Sequence, residues 1–285
     1  MDWLDALILG IVQGLAEYLP ISSSGHLEIF KQVLGLELDP GQSLEFSVML
    51  HVATVLSTIV VLWREFAPLC VSFFTFRRDA RFYYVCKILL SCIPVAVVGL
   101  CFKDVVEELF KGNLTVVGIC LLVTAGLLSF AYFFRTEPLE SAKSSSVRKP
   151  YQPREISWVD AFVIGCAQAV AVLPGLSRSG STIATGILLG DKREEVARFS
   201  FFMVIIPILG EGLLDLKKML SPAVESVSAS TAGGDISLLS IIIGFVASFV
   251  VGCIACKWML EIVKKGKLVW FALYCVLAGV LCLIW

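Results

Sequence analysis

Six long apolar runs constrain the fold of this chain more than any other feature. They cover residues 46–63, 86–103, 114–134, 199–216, 238–256 and 268–285. A helix needs about 17 to 25 apolar residues to cross the hydrocarbon core of a bilayer. Of the 285 residues, 58% are hydrophobic and 16% are charged, whereas soluble domains average about 25% charged residues. The sequence therefore predicts an all-α polytopic membrane protein with about six transmembrane helices.

Two further apolar stretches, residues 3–34 and 158–190, are interrupted halfway. The first is broken at Pro20 and the serines after it, and the second at Pro174 and Gly175. Irregular backbone at membrane depth is tolerated only where protein or a water-filled cavity satisfies its polar groups. We therefore expect both stretches to be buried re-entrant hairpins or broken helices that mark a functional site.

The two hairpin stretches resemble each other, which indicates an internal duplication. Each repeat, about 1–134 and 158–285, would hold one hairpin followed by three spans, and the polar stretch 135–157 would join them as a linker. The whole chain is then a single membrane domain. The matches at constant spacing are Gly10 with Gly165, Gln13 with Gln168, Ser22 with Ser177, Ser24 with Ser179, and Gly25 with Gly180.

The distribution of basic residues orients the two repeats. Lys and Arg concentrate in residues 64–87, in the linker and in residues 257–267, and such loops are cytoplasmic. The spans 46–63 and 199–216 then run in opposite directions, so the halves are predicted to be inverted repeats. In such folds the site lies near the midplane, where broken helices meet. The net charge of −1 gives no indication of a nucleic-acid partner, and none is expected.

The break in the second hairpin, "PGLSRSGST", is typical of an anion site. A helix that begins here directs free backbone N–H groups and its positive dipole end at the break. Arg178 adds a permanently charged group whose shape fits phosphate oxygens. The alternative is that Arg178 pairs with Glu17 as a structural contact and that the serines only cap the helix. The hydroxyls beside the arginine belong to Ser177, Ser179, Ser181 and Thr182.

The first break carries a different set of polar groups. Gln13 and Glu17 lie one helical turn apart and share a face. A buried carboxylate beside Arg178 could act as a base, bind a divalent ion or serve as a counter-ion. Ser23 and His26 follow the break, and hydroxyl and imidazole groups near an arginine indicate phosphoryl transfer. A capped helix with a satisfied histidine is the alternative. His51, inside a span, is expected to bond between helices.

At these residues the sequence resembles the undecaprenyl-diphosphate phosphatase family, the bacitracin-resistance membrane phosphatases. The family signatures are an (E/Q)xxxE motif followed by P-x-S-S-[ST]-G-H, and PGxSRSxxT. They stand here as "QGLAE" at 13–17, "PISSSGH" at 20–26 and "PGLSRSGST" at 174–182. The resemblance covers essentially the whole chain, and two motifs at this separation make it specific.

The resemblance implies a hydrolase that converts undecaprenyl diphosphate to undecaprenyl phosphate and inorganic phosphate. This reaction recycles the lipid carrier of cell-wall peptidoglycan synthesis and confers bacitracin resistance. The resemblance also implies a multi-pass protein of the bacterial inner (plasma) membrane, with an active site toward the extracytoplasmic side. A divalent cation, Mg²⁺ or Ca²⁺, would stimulate the reaction. The expected partners are a polyprenyl diphosphate lipid and the bilayer.

The motif positions imply roles for individual residues. Glu17 and Gln13 would be the acidic or metal-assisting pair, and Ser23 or His26 the nucleophile or the acid–base group. Because Gln13 replaces a glutamate, one carboxylate fewer is left for a metal. The residues that would bind the diphosphate are Ser22, Ser24, Ser177, Arg178, Ser179 and Thr182.

A transporter or flippase of a polyprenyl phosphate is the alternative function, because inverted repeats are common in transporters. Such a protein needs Arg178 and the helix ends but not Glu17 and His26 together. The sequence is also compatible with a homodimer. The GxxxG spacings Gly10/Gly14 and Gly186/Gly190 allow close helix approach, and we expect them to serve packing within the protomer.

Overall fold

The computed structural model of the protein describes residues 1–36, 38–101, 114–135, 154–219 and 236–285. Within these ranges the chain forms α-helices and no strand beyond one isolated bridge between Arg154 and Asp191. The helices are α1 Trp3–Ala16, α2 Ser23–Val33, α3 Pro40–Val61, α4 Trp63–Phe74, α5 Ala80–Cys101, α6 Leu114–Arg135, α7 Trp158–Val170, α8 Arg178–Leu189, α9 Arg193–Met203, α10 Ile205–Met219, α11 Leu238–Lys264 and α12 Val269–Ile284.

Four of the predicted spans are single helices long and apolar enough to cross a membrane. These are α3, α5, α6 and α11, with 22, 22, 22 and 27 residues. The last span is an apolar helix, α12, of 16 residues. The prediction of an all-α polytopic membrane protein is confirmed.

The predicted span 199–216 is wrong as a single helix. The chain there forms α9 and α10, which are separated at Val204. The cause is Pro207, whose ring clashes with the carbonyl four residues earlier and which has no N–H to donate. That carbonyl belongs to Met203, where α9 ends, and it accepts a hydrogen bond from the Cys92 thiol of α5 at 3.5 Å. The Met203 carbonyl oxygen at the break therefore has a hydrogen-bond donor inside the protein.

Both hairpin stretches are broken helices, as predicted. α1 ends at Ala16, and α2 starts after Ser22, whose side chain accepts from the backbone N–H of Gly25 at 3.3 Å. In the second hairpin Ser177 caps α8 by accepting from Gly180 N–H at 3.0 Å. Ser22 has a φ of 72°, a left-handed conformation that costs on the order of 1–3 kcal/mol for a non-glycine residue. The strain lies where the first hairpin turns.

The order of helices is similar in the two halves. The helices α1–α2, α3, α5 and α6 follow one another in the first half, and α7–α8, α9–α10, α11 and α12 in the second. Among the described residues of the second half, the helix α4 has no counterpart. The division into inverted repeats and their orientation in the membrane remain predictions, and most of the linker, residues 136–153, lies outside the described residues.

Small residues allow the hairpin helices to pack closely on the spans. A Cβ on Gly14 of α1 would lie 2.7 Å from the Ser248 carbonyl of α11, and a Cβ on Gly10 would meet the Gly244 backbone of the same helix. In the second hairpin a Cβ on Gly186 would lie 2.6 Å from Val196. Gly10, Gly14 and Gly186 therefore pack closely within the chain, as predicted.

An ionic contact ties the two ends of the second hairpin together. Arg154 donates to Asp160 Oδ1 at 2.8 Å, near the start of α7, and its Nε lies 3.5 Å from Asp191 Oδ1, after the end of α8. Burial and the nearby Asp160 carboxylate raise the pKa of Asp191 to about 6, and Arg154 acts in the opposite direction. The described end of the linker therefore anchors both helices of this hairpin.

Candidate active site

The tips of the two hairpins meet inside the protein. A Cβ on Gly25 would lie 3.0 Å from Gly175 Cα, and a Cβ on Gly180 would lie 3.2 Å from Pro20 Cβ. The Ser179 hydroxyl donates to the Leu19 carbonyl at 3.2 Å. The two breaks therefore face each other, and the polar groups of both sequence motifs surround one place.

The centre of this place is an ion pair between the hairpins. Arg178 is the first residue of α8, and its guanidinium donates to Glu17 Oε1 at 3.2 Å. The side chain of Glu17 is 7% exposed and that of Arg178 24%. Glu17 also lies at the C-terminal end of α1, where the helix dipole disfavours negative charge. Arg178 therefore offsets both the burial of the carboxylate and its position on the helix.

The second carboxylate oxygen of Glu17 accepts hydrogen bonds from a hydroxyl and an amide. Glu17 Oε2 accepts from Ser23 Oγ at 2.7 Å and from Gln13 Nε2 at 2.9 Å. A hydroxyl that donates to a buried carboxylate has the geometry of a nucleophile beside its base. The structure thus brings together Gln13, Glu17, Ser23 and Arg178, which the sequence had placed in two distant motifs.

His51 of α3 also faces this carboxylate. Its Nε2 lies 3.6 Å from Glu17 Oε2, and its Nδ1 bonds to the Ser47 carbonyl of the same helix at 2.7 Å. The sequence predicted that His51 bonds to a neighbouring helix, but it did not place His51 at this site. The structure shows that the ring faces Glu17 at the end of α1. The signal was a polar stripe along α3, because residues at these spacings share one helical face: Ser47, His51, Thr54 and Thr58.

His26 has other contacts. Its Nδ1 bonds to the Ser22 carbonyl at 2.7 Å, and its Nε2 to the Tyr274 hydroxyl of α12 at 2.7 Å. The two rings stack with centroids 5.5 Å apart. Because a carbonyl only accepts, Nδ1 carries a proton, and in the neutral ring Nε2 then accepts from the Tyr274 hydroxyl. The described hydrogen bonds of His26 therefore go to Ser22 and Tyr274, not to Glu17 or Arg178.

The remaining motif hydroxyls form two similar groups. The Ser22 and Ser24 hydroxyls lie 3.4 Å apart at the start of α2, and those of Ser177 and Ser179 lie 3.3 Å apart at the start of α8. Thr182 donates to the Arg178 carbonyl at 2.8 Å and bonds with the Ser200 hydroxyl of α9 at 2.6 Å. Its hydroxyl thereby links the start of α8 to α9.

Two adjoining cavities flank the ion pair. The smaller is lined mainly by the two serine groups. The larger extends between α3, α9 and α10. Glu17, Arg178 and Ser179 line both cavities. A ligand with two anionic groups could therefore place one group on each side of Arg178.

The protein atoms around Glu17 do not form a cage for a divalent cation. Mg²⁺ and Ca²⁺ prefer several oxygen ligands, and among the described residues no group of three or more His, Cys, Asp or Glu side chains is placed to hold a metal. The Glu17 oxygens already accept from Arg178, Ser23 and Gln13. Gln13 Oε1 is buried without a partner in the described structure. The divalent cation stays a prediction.

Comparison with known proteins agrees with these motifs. Residues 6–281 match the family described as "Bacitracin resistance protein BacA". The chain is 53% identical to an "Undecaprenyl-diphosphatase" of Parabacteroides distasonis, over 98% of this chain and 96% of that protein. It is 51% identical to a protein of the same description from Bacteroides fragilis, over 100% of this chain and 98% of the relative. This chain therefore belongs to the bacitracin resistance protein BacA family.

Proposed function

We propose that this chain hydrolyses undecaprenyl diphosphate to undecaprenyl phosphate and inorganic phosphate. The observation that carries the proposal is the Ser23 hydroxyl, bonded at 2.7 Å to a buried Glu17 carboxylate that faces Arg178. These groups supply a nucleophile, its base and a positive charge for the phosphate oxygens. The two relatives described as undecaprenyl-diphosphatases support the same reaction.

The reaction proceeds in two steps. Ser23 Oγ attacks the terminal phosphorus, its proton passes to Glu17, and the bond from that phosphorus to the bridging oxygen breaks. The electron pair stays on the bridging oxygen, which takes the proton from Glu17 and leaves as part of undecaprenyl phosphate. The Glu17 carboxylate, now deprotonated again, accepts a proton from water, which cleaves the phosphoserine, and Glu17 passes this second proton to Ser23 Oγ as inorganic phosphate leaves. Arg178 and the free N–H groups at the helix starts stabilise the equatorial oxygens.

The contacts favour Ser23 over His26 as the nucleophile. Ser23 lines the smaller cavity beside Arg178, whereas both ring nitrogens of His26 are engaged elsewhere. In this proposal His26 is a positioning residue, because its bond to the Ser22 carbonyl and its bond to α12 hold the strained turn that presents Ser23.

The transporter alternative is less well supported by the site. A carrier that only binds a phosphate headgroup needs Arg178 and the helix ends. It has no use for a serine hydroxyl bonded to a buried carboxylate. The names of the relatives also describe cleavage rather than transport.

The location of the reaction is part of the proposal. The family and the apolar helices support a multi-pass membrane protein. We place it in the bacterial inner membrane with the site open to the extracytoplasmic side. The support for this side is the resemblance of the two hairpin motifs to the undecaprenyl-diphosphate phosphatase family.

Ser23→Ala should lower the release of inorganic phosphate by roughly 10³-fold or more, because removing a nucleophile costs at least this much in enzymes that use one. The measurement is phosphate release from undecaprenyl diphosphate by purified protein in detergent. Ser43→Ala, a matched change on α3 that lines neither cavity, should retain wild-type activity. Wild-type turnover in Ser23→Ala would contradict the proposed nucleophile.

His51→Leu should lower kcat by about tenfold, equivalent to ~1.4 kcal/mol, because it removes the polar partner that faces Glu17 Oε2. His51→Gln should retain most of the activity, since its amide can donate to the same oxygen. Steady-state kinetics of both variants test the role. Equal losses in the two variants would show that the ring shape, not the contact with Glu17, is required.

A further inference from the structure

Gln168 of α7 is a buried polar residue that the proposed reaction does not yet use. Its side chain lines the larger cavity beside Arg178, and the residue is 1% exposed. Its Nε2 has no hydrogen-bond partner among the described residues. A buried donor without a partner is unfavourable, and a ligand that accepts from this amide would remove that cost.

The comparison with the first hairpin explains why the amide is free. Gln13 occupies the matching position there, and its Nε2 donates to Glu17, one helical turn later. One turn after Gln168 the chain has Val172. The second hairpin therefore keeps the glutamine but lacks the carboxylate acceptor, which leaves the Gln168 amide nitrogen without a partner among the described residues.

The linings of the two cavities differ in a way that orients the substrate. The smaller cavity is lined mainly by serine hydroxyls, with Ala16 and Leu176 as its apolar residues. The larger has Gln168, Arg178 and Thr182 among its polar residues, and an apolar wall formed by Val55, Phe201, Val204 and Ile208. An anion joined to a hydrocarbon fits the larger cavity, and an anion without one fits the smaller.

We propose that Gln168 donates its amide N–H to the phosphate that stays on the lipid. The terminal phosphate then lies in the smaller cavity beside Ser23, and Arg178 lies between the two phosphates. The first prenyl unit packs on the apolar wall of the larger cavity. This inference rests on the proposed function, because it assigns the two phosphates of that substrate to separate places.

Product inhibition distinguishes the proposed phosphate position in the larger cavity from the one in the smaller cavity. With farnesyl diphosphate as substrate, farnesyl monophosphate and inorganic phosphate are each added as inhibitors of wild-type protein and of Gln168→Leu. We expect the Ki of farnesyl monophosphate to rise about tenfold in the variant and the Ki of inorganic phosphate to stay within twofold. Gln42→Leu, the same change at the start of α3 and outside both cavities, should alter neither value.

An unchanged Ki for farnesyl monophosphate, or a rise for inorganic phosphate alone, would overturn the assignment. Direct titration of farnesyl monophosphate onto purified protein gives a second readout that needs no turnover. Gln168→Glu, of nearly the same size, should weaken this binding more than Gln168→Leu because it repels the phosphate, and equal binding by all three proteins would also overturn it. If wild type binds the monophosphate but cleaves no diphosphate, the proposed function fails while the titration still tests Gln168.

Discussion

Glu17→Gln should lower kcat by about 10²- to 10⁴-fold, the range that general-base groups contribute. The substitution retains the size of the side chain and an oxygen for Arg178 but removes the basicity that accepts the Ser23 proton. The measurement is phosphate release at saturating polyprenyl diphosphate, together with direct binding of the monophosphate product. We expect binding to remain within severalfold of wild type while turnover is lost.

A matched control for this change is Glu45→Gln on α3. Glu45 is exposed and lines neither cavity, so turnover should be unchanged. A Glu17→Gln protein that is folded and retains wild-type turnover would show that the carboxylate is a counter-ion for Arg178 and not the base.

Arg178→Ala should lower kcat/KM by about 10²- to 10³-fold, as expected when one group that stabilises transition-state charge is removed. Arg178→Lys should recover only part of the loss, because an ammonium group keeps the charge but lacks the planar fork that matches phosphate oxygens. Both parameters, kcat and KM, should change, since Arg178 lines the two cavities that flank it. Wild-type kinetics in Arg178→Ala would contradict a role in the reaction.

The stability of these variants separates catalysis from structural pairing. Arg178→Ala leaves the buried Glu17 carboxylate without its cation, and an unpaired buried charge is strongly destabilising. The double variant Glu17→Gln, Arg178→Ala removes both charges, so its melting temperature should recover toward wild type while its activity stays low. If recovery of stability also restored turnover, the pair would be structural only.

The sequence predicts the architecture well where composition alone decides the structure. The length of an apolar run predicts a span, and Pro20 and Pro174 predict the breaks of the hairpins. The break at Val204 was missed because its cause, Pro207, lies inside an apolar run, and hydropathy does not report a missing hydrogen bond. Only the helix bounds show that this proline stands in the first turn of α10.

The candidate site is predicted only where spacing on one helix or motif fixes the geometry. Gln13 and Glu17 share a face because they are one turn apart. The direction of His26 depends on how α2 is rotated, and the contact of Gly25 with Val117 of α6 helps to set that rotation. His51 and Gln168 reach the site from helices distant in the chain. Such contacts depend on tertiary packing, which the spacing of residues along one helix does not reveal.

Turnover in water labelled with heavy oxygen tests the central claim most directly. Purified protein is given a polyprenyl diphosphate in labelled water, and both products are analysed by mass spectrometry. Attack on the terminal phosphorus predicts that the label enters inorganic phosphate, one atom per turnover, and that the polyprenyl monophosphate stays unlabelled. Label in the monophosphate, or tight binding of the diphosphate with no release of phosphate, would contradict the account.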